Sequence, residues 1–247
     1  MSIQSAPTRS APNRSRSLRN MDWPVVVGIV AMHVGALLAL VRQFFVWTGL
    51  VIAVTLYYLT GMIGITVCFH RLLTHRSFKT PKWFEYLLTL CGCLAWQGGP
   101  VQWVGVHRIH HQHSDDENDP HTPKHGFGWA HMFWCMFREH EGQRGLDAAK
   151  DLLRDPVLRF INNYFFVPQF VMLLVLYVGG ELAGMYGISA SGLSWVIWGV
   201  CLRTVAVYHV TWFVNSATHT WGYRNFDTKD QSTNNWWVAL LSFGEGW

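Results

Sequence analysis

Two stretches of this chain leave little freedom about its surroundings. Residues 24 to 41, "PVVVGIVAMHVGALLALV", are apolar except for His33, and residues 44 to 69, "FFVWTGLVIAVTLYYLTGMIGITVCF", carry no charge. A helix needs roughly 20 such residues to cross a bilayer, and both runs qualify. Residues 164 to 180, "YFFVPQFVMLLVLYVGG", and 192 to 214, "GLSWVIWGVCLRTVAVYHVTWFV", add two more, the last interrupted by Arg203 and His209. Buried helices of a soluble core are the alternative, but the 14 tryptophans gather at the flanks of the runs, as interfacial anchors do. The chain is predicted to be an all-α integral membrane protein with four transmembrane helices.

Positive charge sets the expected orientation. Of the 19 lysines and arginines, four precede the first run, eleven lie between residues 71 and 159, and two follow the fourth. The loop between the first two runs has only Arg42. By the positive-inside rule both termini and the long middle segment face the cytoplasm. The net charge of +4 then reflects topology, and no aromatic-interleaved basic patch points to nucleic acid. Residues 1 to 22 form a polar leader, expected to be disordered and cytoplasmic; it lacks the features of a cleavable signal. The five cysteines include no Cys-x-x-Cys pair and read as small packing residues.

One apolar run in the middle segment is too short to span. Residues 86 to 96, "YLLTLCGCLAW", end at "QGGP", a length typical of a re-entrant or interfacial helix. If it returns the chain to the side it left, three histidine-bearing segments meet at one cytoplasmic mouth and cap it: "HRLLTH", "GVHRIHHQHSDDENDPH" and "NSATH". His107, His110 and His111 fall at i, i+3, i+4 and project from one helix face, as do Asn215 and His219. His70 and His75 differ by roughly 140° on a straight helix, so the pair fits best with His75 just beyond the helix end. His33 and His209 are expected to be packed or hydrogen-bonded within their spans. His113, His125, His131 and His140 read as surface or outer groups of a solvated loop, and "DDENDPH" as an acidic turn.

Six neutral imidazoles exceed what one ion needs. Calcium or magnesium would call for carboxylates, while iron, copper and zinc all accept imidazole, so ligand type alone does not choose the metal. A two-metal site is the economical expectation, and with iron it would bring dioxygen chemistry to a fatty chain in the membrane.

"HRLLTHRSF", "QGGPVQWVGVHRIHHQHSDDENDPH" and "NSATHTWG" resemble the membrane fatty acid desaturases, in the Δ9 acyl-CoA and acyl-lipid branch. The resemblance implies a desaturase domain over residues 23 to 247, two iron ions with O2 as co-substrate, and removal of two hydrogens from a saturated acyl chain. It implies His70, His75, His107, His110, His111 and His219 as metal ligands, Asn215 as a ligand through water, and no catalytic side chain beyond them. Gln97, Trp103 and Thr211 would line the bend of an acyl tunnel and so set the position of the double bond. Trp103 lies one turn from His107, and Thr211 one turn from Asn215. The partners implied are a fatty acyl lipid or acyl-CoA, the surrounding membrane lipid, and an electron donor, ferredoxin-like or a small haem carrier with its reductase.

In that family "FGEGW" leads into a third histidine box with three further ligands. The sequence stops at Trp247, so the domain is expected to be C-terminally incomplete and, as written, inactive. Two other readings compete: another histidine-box oxygenase, such as a lipid hydroxylase or ketolase, and a non-catalytic, truncated membrane metal-binding protein.

Overall fold

The computed structural model describes residues 18–137 and 141–247. Most of the leader and His140 lie outside the described residues. The architecture is helical: among the described residues the only β-pairings are two isolated bridges, Met21 with Phe137 and Tyr223 with Asn234.

Four helices are long and apolar enough to cross a membrane: α1 (Trp23–Leu40), α2 (Trp47–Thr74), and two later ones at Val167–Met185 and Gly192–His219. They coincide with the four predicted runs. Between α2 and the third of these come α3 (Lys82–Cys93), α4 (Pro100–His113), α5 (Phe127–His131), α6 (Glu141–Ala148), α7 (Lys150–Leu153) and α8 (Pro156–Asn163). The third and fourth long helices are therefore α9 and α10, and a short α11 (Trp236–Leu241) follows. Proline opens α1, α4, α8 and α9 within their first two positions, where its missing N–H costs nothing.

The long helices divide into an inner and an outer pair. About half of the apolar window of α10 and 39% of that of α2 are buried, against 11% for α1 and 17% for α9. Val27, Val34, Phe170 and Leu174 point outward from the outer pair, a continuous apolar surface of the kind that lipid covers.

At 12 residues, α3 is about 18 Å long, well short of the hydrocarbon thickness. It lies tight against α2, because a Cβ on Gly64 would stand 2.6 Å from the Cys91 carbonyl and one on Gly92 would enter the Phe69 ring. The same economy brings α6 onto α4, where a Cβ on Gly105 would collide with the Gly145 backbone. These close approaches put the ends of α2 and α4 side by side. The core beneath is built from Phe69, Leu72, Leu73, Val101, Val104 and Leu158.

The end of the predicted leader is not free. Leu18–Asn20 make a helical turn, and the Asp22 N–H donates to the Met136 carbonyl at 2.8 Å, which pins the entry to α1 on the loop after α5.

Candidate metal centre

The first cluster joins α2 to α4. From Tyr58 to Thr74 the turns of α2 are π-helical, closed i→i+5, and the His75 N–H donates to the His70 carbonyl at 3.0 Å. Such a turn places residues five apart above one another, which a straight α-helix does not. His75 caps the helix, as its spacing requires, and its Nε2 reaches to 3.0 Å from that of His70. Across the gap, His107 and His111 bring their Nε2 atoms to 3.1 Å from each other, and the His70 and His107 ring centres are 4.8 Å apart. The chain thus leaves α2 and returns through α3 and α4 to the same end of the molecule. All four rings offer a nitrogen within 4.8 Å of the others.

His110 sits at one edge of the predicted shared face. On α4 it lies about 60° to one side of His107 while His111 lies about 40° to the other. The helix therefore sits between two groups, and His110 belongs to the second. There it meets Asp119 and His121, all three buried and within the same 4.8 Å limit. His121 stands 4.3 Å from His110 between ring centres, and His219 stands 5.8 Å from it. The acidic turn and its histidine are thus part of the site. Asp119, fully buried, accepts the Asp115 and His121 backbone N–H groups at 2.9 and 3.1 Å, which folds "DDENDPH" into a knot beneath α4.

Behind three rings stands a carboxylate. Asp119 Oδ2 is 3.0 Å from His110 Nδ1. Asp115 Oδ1 is 2.9 Å from His219 Nδ1, and Glu245 Oε1 is 3.3 Å from His70 Nδ1, both off the line of a good hydrogen bond. A carboxylate hydrogen-bonded at Nδ1, as at His110, fixes the tautomer and leaves Nε2 with its lone pair, the arrangement in which histidine holds a metal. Glu245 belongs to "FGEGW", a phrase whose spacing pointed only onward; its partner is 175 positions away in the chain, so no local pattern could reveal it.

The electrostatics favour neutral rings. Burial first, then the neighbouring imidazoles, lowers His111 to about 4 and holds His107 well below the usual histidine range. Burial likewise lowers His121 to about 3. For Asp119 burial works the other way, but the hydrogen bond from His110 and the charges of His121 and His110 outweigh it and bring the carboxyl down to about 2. Unprotonated imidazoles crowded nitrogen to nitrogen fit divalent transition-metal ions, which need deprotonated ligands.

Both groups open on an apolar cavity of about 540 Å³, in the range of sites for small ligands. His107, His121 and Asn215 stand on its wall, which continues past Trp103, Gln97, Thr211, Tyr208 and Trp96 to Ile29 on α1 and Phe165 and Phe166 before α9. Gln97, Trp103 and Thr211 form one hydrogen-bonded unit: Gln97 Nε2 donates to Thr211 Oγ1 at 2.9 Å, and Trp103 Nε1 donates to Gln97 Oε1 at 3.2 Å. The Trp103 indole stacks on His107 at 4.9 Å.

The remaining histidines divide. His113 pairs with Asp116 at the surface. His131 is not a solvated loop residue: α5 packs on α10, and the His131 ring links Ser216 Oγ to His209 Nδ1, both at 2.9 Å. His209 in turn contacts His33 at 3.1 Å, so the histidines of α1 and α10 are hydrogen-bonded across helices, as their positions in apolar runs predict.

A family profile described as fatty acid desaturase matches residues 45–247. The chain is 49% identical over 228 residues to an sn-1 stearoyl-lipid 9-desaturase of Anabaena variabilis, covering 92% of this chain and 79% of that protein. It is 44% identical over 240 residues to an sn-1 stearoyl-lipid 9-desaturase of Synechocystis, covering 97% and 72%. An sn-2 palmitoyl-lipid 9-desaturase of Nostoc is 43% identical, with 96% and 80% covered. With the family match spanning both histidine groups, the chain belongs to the fatty acid desaturase family.

Proposed function

We propose that this protein introduces a double bond at the Δ9 position of a saturated acyl chain carried on a membrane glycerolipid, at a pair of iron ions. The observation that carries the reading is the convergence of two imidazole groups on one end of an apolar cavity. His70, His75, His107 and His111 would hold one ion. His110 and His219 would contribute to the second, with His121 beside them and Asn215 acting through a water. Bound iron would supply the dioxygen chemistry by which O2, two electrons and two protons from outside, and two hydrogens of the chain become two waters and an alkene.

The chain's own residues bind, orient and exclude water. The apolar wall takes the acyl chain; Trp103, stacked on His107, presses one stretch of it against the metal end; and the Gln97–Thr211 pair fixes the wall beyond. The lipid-linked substrates in the names of the three cyanobacterial relatives support a glycerolipid over acyl-CoA. A ferredoxin-like protein, or a small haem carrier with its reductase, would deliver the electrons. Four spans with both termini, the cap and the metal end on the cytoplasmic side complete the proposal, with α3 as a re-entrant or interfacial element.

The test is expression of the gene's full-length product in a bacterium whose lipids lack Δ9 alkenes, with double bonds located by mass spectrometry and iron counted per protein. Two irons and a 9-ene on lipid are expected. Hydroxylated lipid without alkene would establish the hydroxylase alternative, and iron-free, inert protein the non-catalytic one. Labelling of single cysteines from either side of the membrane checks the orientation.

A further inference from the structure

The loop between α3 and α4 carries two cavity-lining residues, Trp96 and Gln97, and its backbone is not relaxed. Trp96 has φ +56°, in the left-handed region that bulky residues avoid and that persists only where surroundings enforce it. Three residues of α10 supply the enforcement. Arg203 Nη1 donates to the Leu94 carbonyl at 2.6 Å, the Tyr208 hydroxyl donates to the Trp96 carbonyl at 2.9 Å, and Thr211 takes the Gln97 amide. Leu94, Trp96 and Gln97 are thus gripped almost consecutively by one helix.

Arg203 is suited to this and to little else. Its side chain is 1% exposed in the interior of a membrane-spanning helix, and its hydrogen bonds go to neutral acceptors: the Gly199 and Leu94 carbonyls and the Gln169 side-chain oxygen. Gln169 is itself held by Thr204. A buried guanidinium among uncharged acceptors is costly, and what it secures is the end of α3. Tyr208, also buried, stacks on Trp212 at 5.1 Å, so its hydroxyl is aimed at the loop by a ring that is itself fixed.

We infer that Arg203 and Tyr208 are positioning residues for regioselectivity: by clamping Leu94–Gln97 they set how far an acyl chain advances past the metal end, and hence which carbon pair reacts. Arg203 lies outside the cavity wall and acts only through the loop, whereas Tyr208 stands on the wall as well, so removing its hydroxyl alone isolates its grip on Trp96. This role rests on the acyl-chain reading of the cavity. Misplacement by about 1 Å already costs about 100-fold at a reacting centre, so a strained loop freed from one of its clamps would alter how the chain is presented.

The test is the positional-isomer ratio of alkenes made by the full-length gene product carrying Tyr208→Phe, which keeps the stack on Trp212 and removes only the hydroxyl. Arg203→Lys serves as an independent second variant. Tyr57→Phe is the control, since it removes a similar hydroxyl-to-carbonyl bond, to Leu241, that takes no part in the clamp on Leu94–Gln97. The wild type and Tyr57→Phe are expected to give one isomer. Tyr208→Phe and Arg203→Lys are expected to raise neighbouring-position isomers at least fivefold, whatever their total yield. Reduced yield with an unchanged ratio in both variants would overturn the inference and leave the desaturase reading intact. A wild type that makes no alkene would remove the reading itself.

Discussion

His70 and His75 face each other nitrogen to nitrogen at 3.0 Å across a turn closed i→i+5. Their meeting depends on the π-helical register of α2. Deleting Leu72 should shorten the turn and swing one ring away, and His107→Ala should remove the ring that links α4 to the pair. Both are expected to lose at least one iron per protein and to lower desaturation more than about 100-fold. Iron content by atomic absorption, alongside lipid product, checks this.

The carboxylates behind the rings predict a graded effect. Asp119→Asn and Glu245→Gln keep size and remove charge from His110 Nδ1 and His70 Nδ1. Metal affinity should fall about 10- to 100-fold for each, the usual consequence of losing such a partner. Chelator competition reads it, and affinity equal to wild type in both variants would contradict the assignment.

In metal-free protein, acid should destabilise the fold in two stages. His111 and His121 titrate at about 4 and about 3 in the fold, against 6.5 ordinarily. The unfolded chain therefore takes up their protons first, and the stability present above 6.5 drains away as pH falls toward those values. Asp119, at about 2 against 3.8, gives stability present above its unfolded value and lost as pH falls through the folded one. The Tm of metal-free protein in detergent should fall as pH drops below 6.5; a flat profile from 7 to 4 would refute it.

Arg108 ties α4 to the loop beside His75. It donates to Asp151 at 2.6 and 3.2 Å and to the Leu73 carbonyl at 3.1 Å, and Arg76 closes on the same carboxylate. Lysine cannot reproduce this fork. Arg108→Lys should cost about 1–3 kcal/mol of stability and lower iron occupancy, measurable by thermal melts and metal analysis on one preparation.

His209 bridges His33 on α1 and His131 on α5. His209→Leu should leave both rings short of a partner and cost roughly 1–3 kcal/mol per stranded group, lowering Tm without abolishing iron binding.

The amino-acid sequence alone determined the elements whose signal is local. Charge-poor apolar runs mark the four long helices, because bilayer thickness sets their length. The 107/110/111 and 215/219 spacings mark shared helix faces, because 3.6 residues make a turn. The Gln97, Trp103 and Thr211 unit was accessible through resemblance, and its hydrogen bonds connect those same residues.

Only the tertiary structure decided how the histidines are shared. His110 parts from His107 and His111 because α4 lies between two groups, in a packing where α3 approaches α2 closely at Gly64 and Gly92 and α6 approaches α4 at Gly105. His121 and Asp119 look like a solvated turn until the knot beneath α4 buries them. Glu245 and Arg203 act on residues more than 100 positions away. Periodicity reports which side of a helix a residue occupies; what stands opposite is settled by packing between distant segments, where the energy depends on shape and contact and leaves no mark in local spacing.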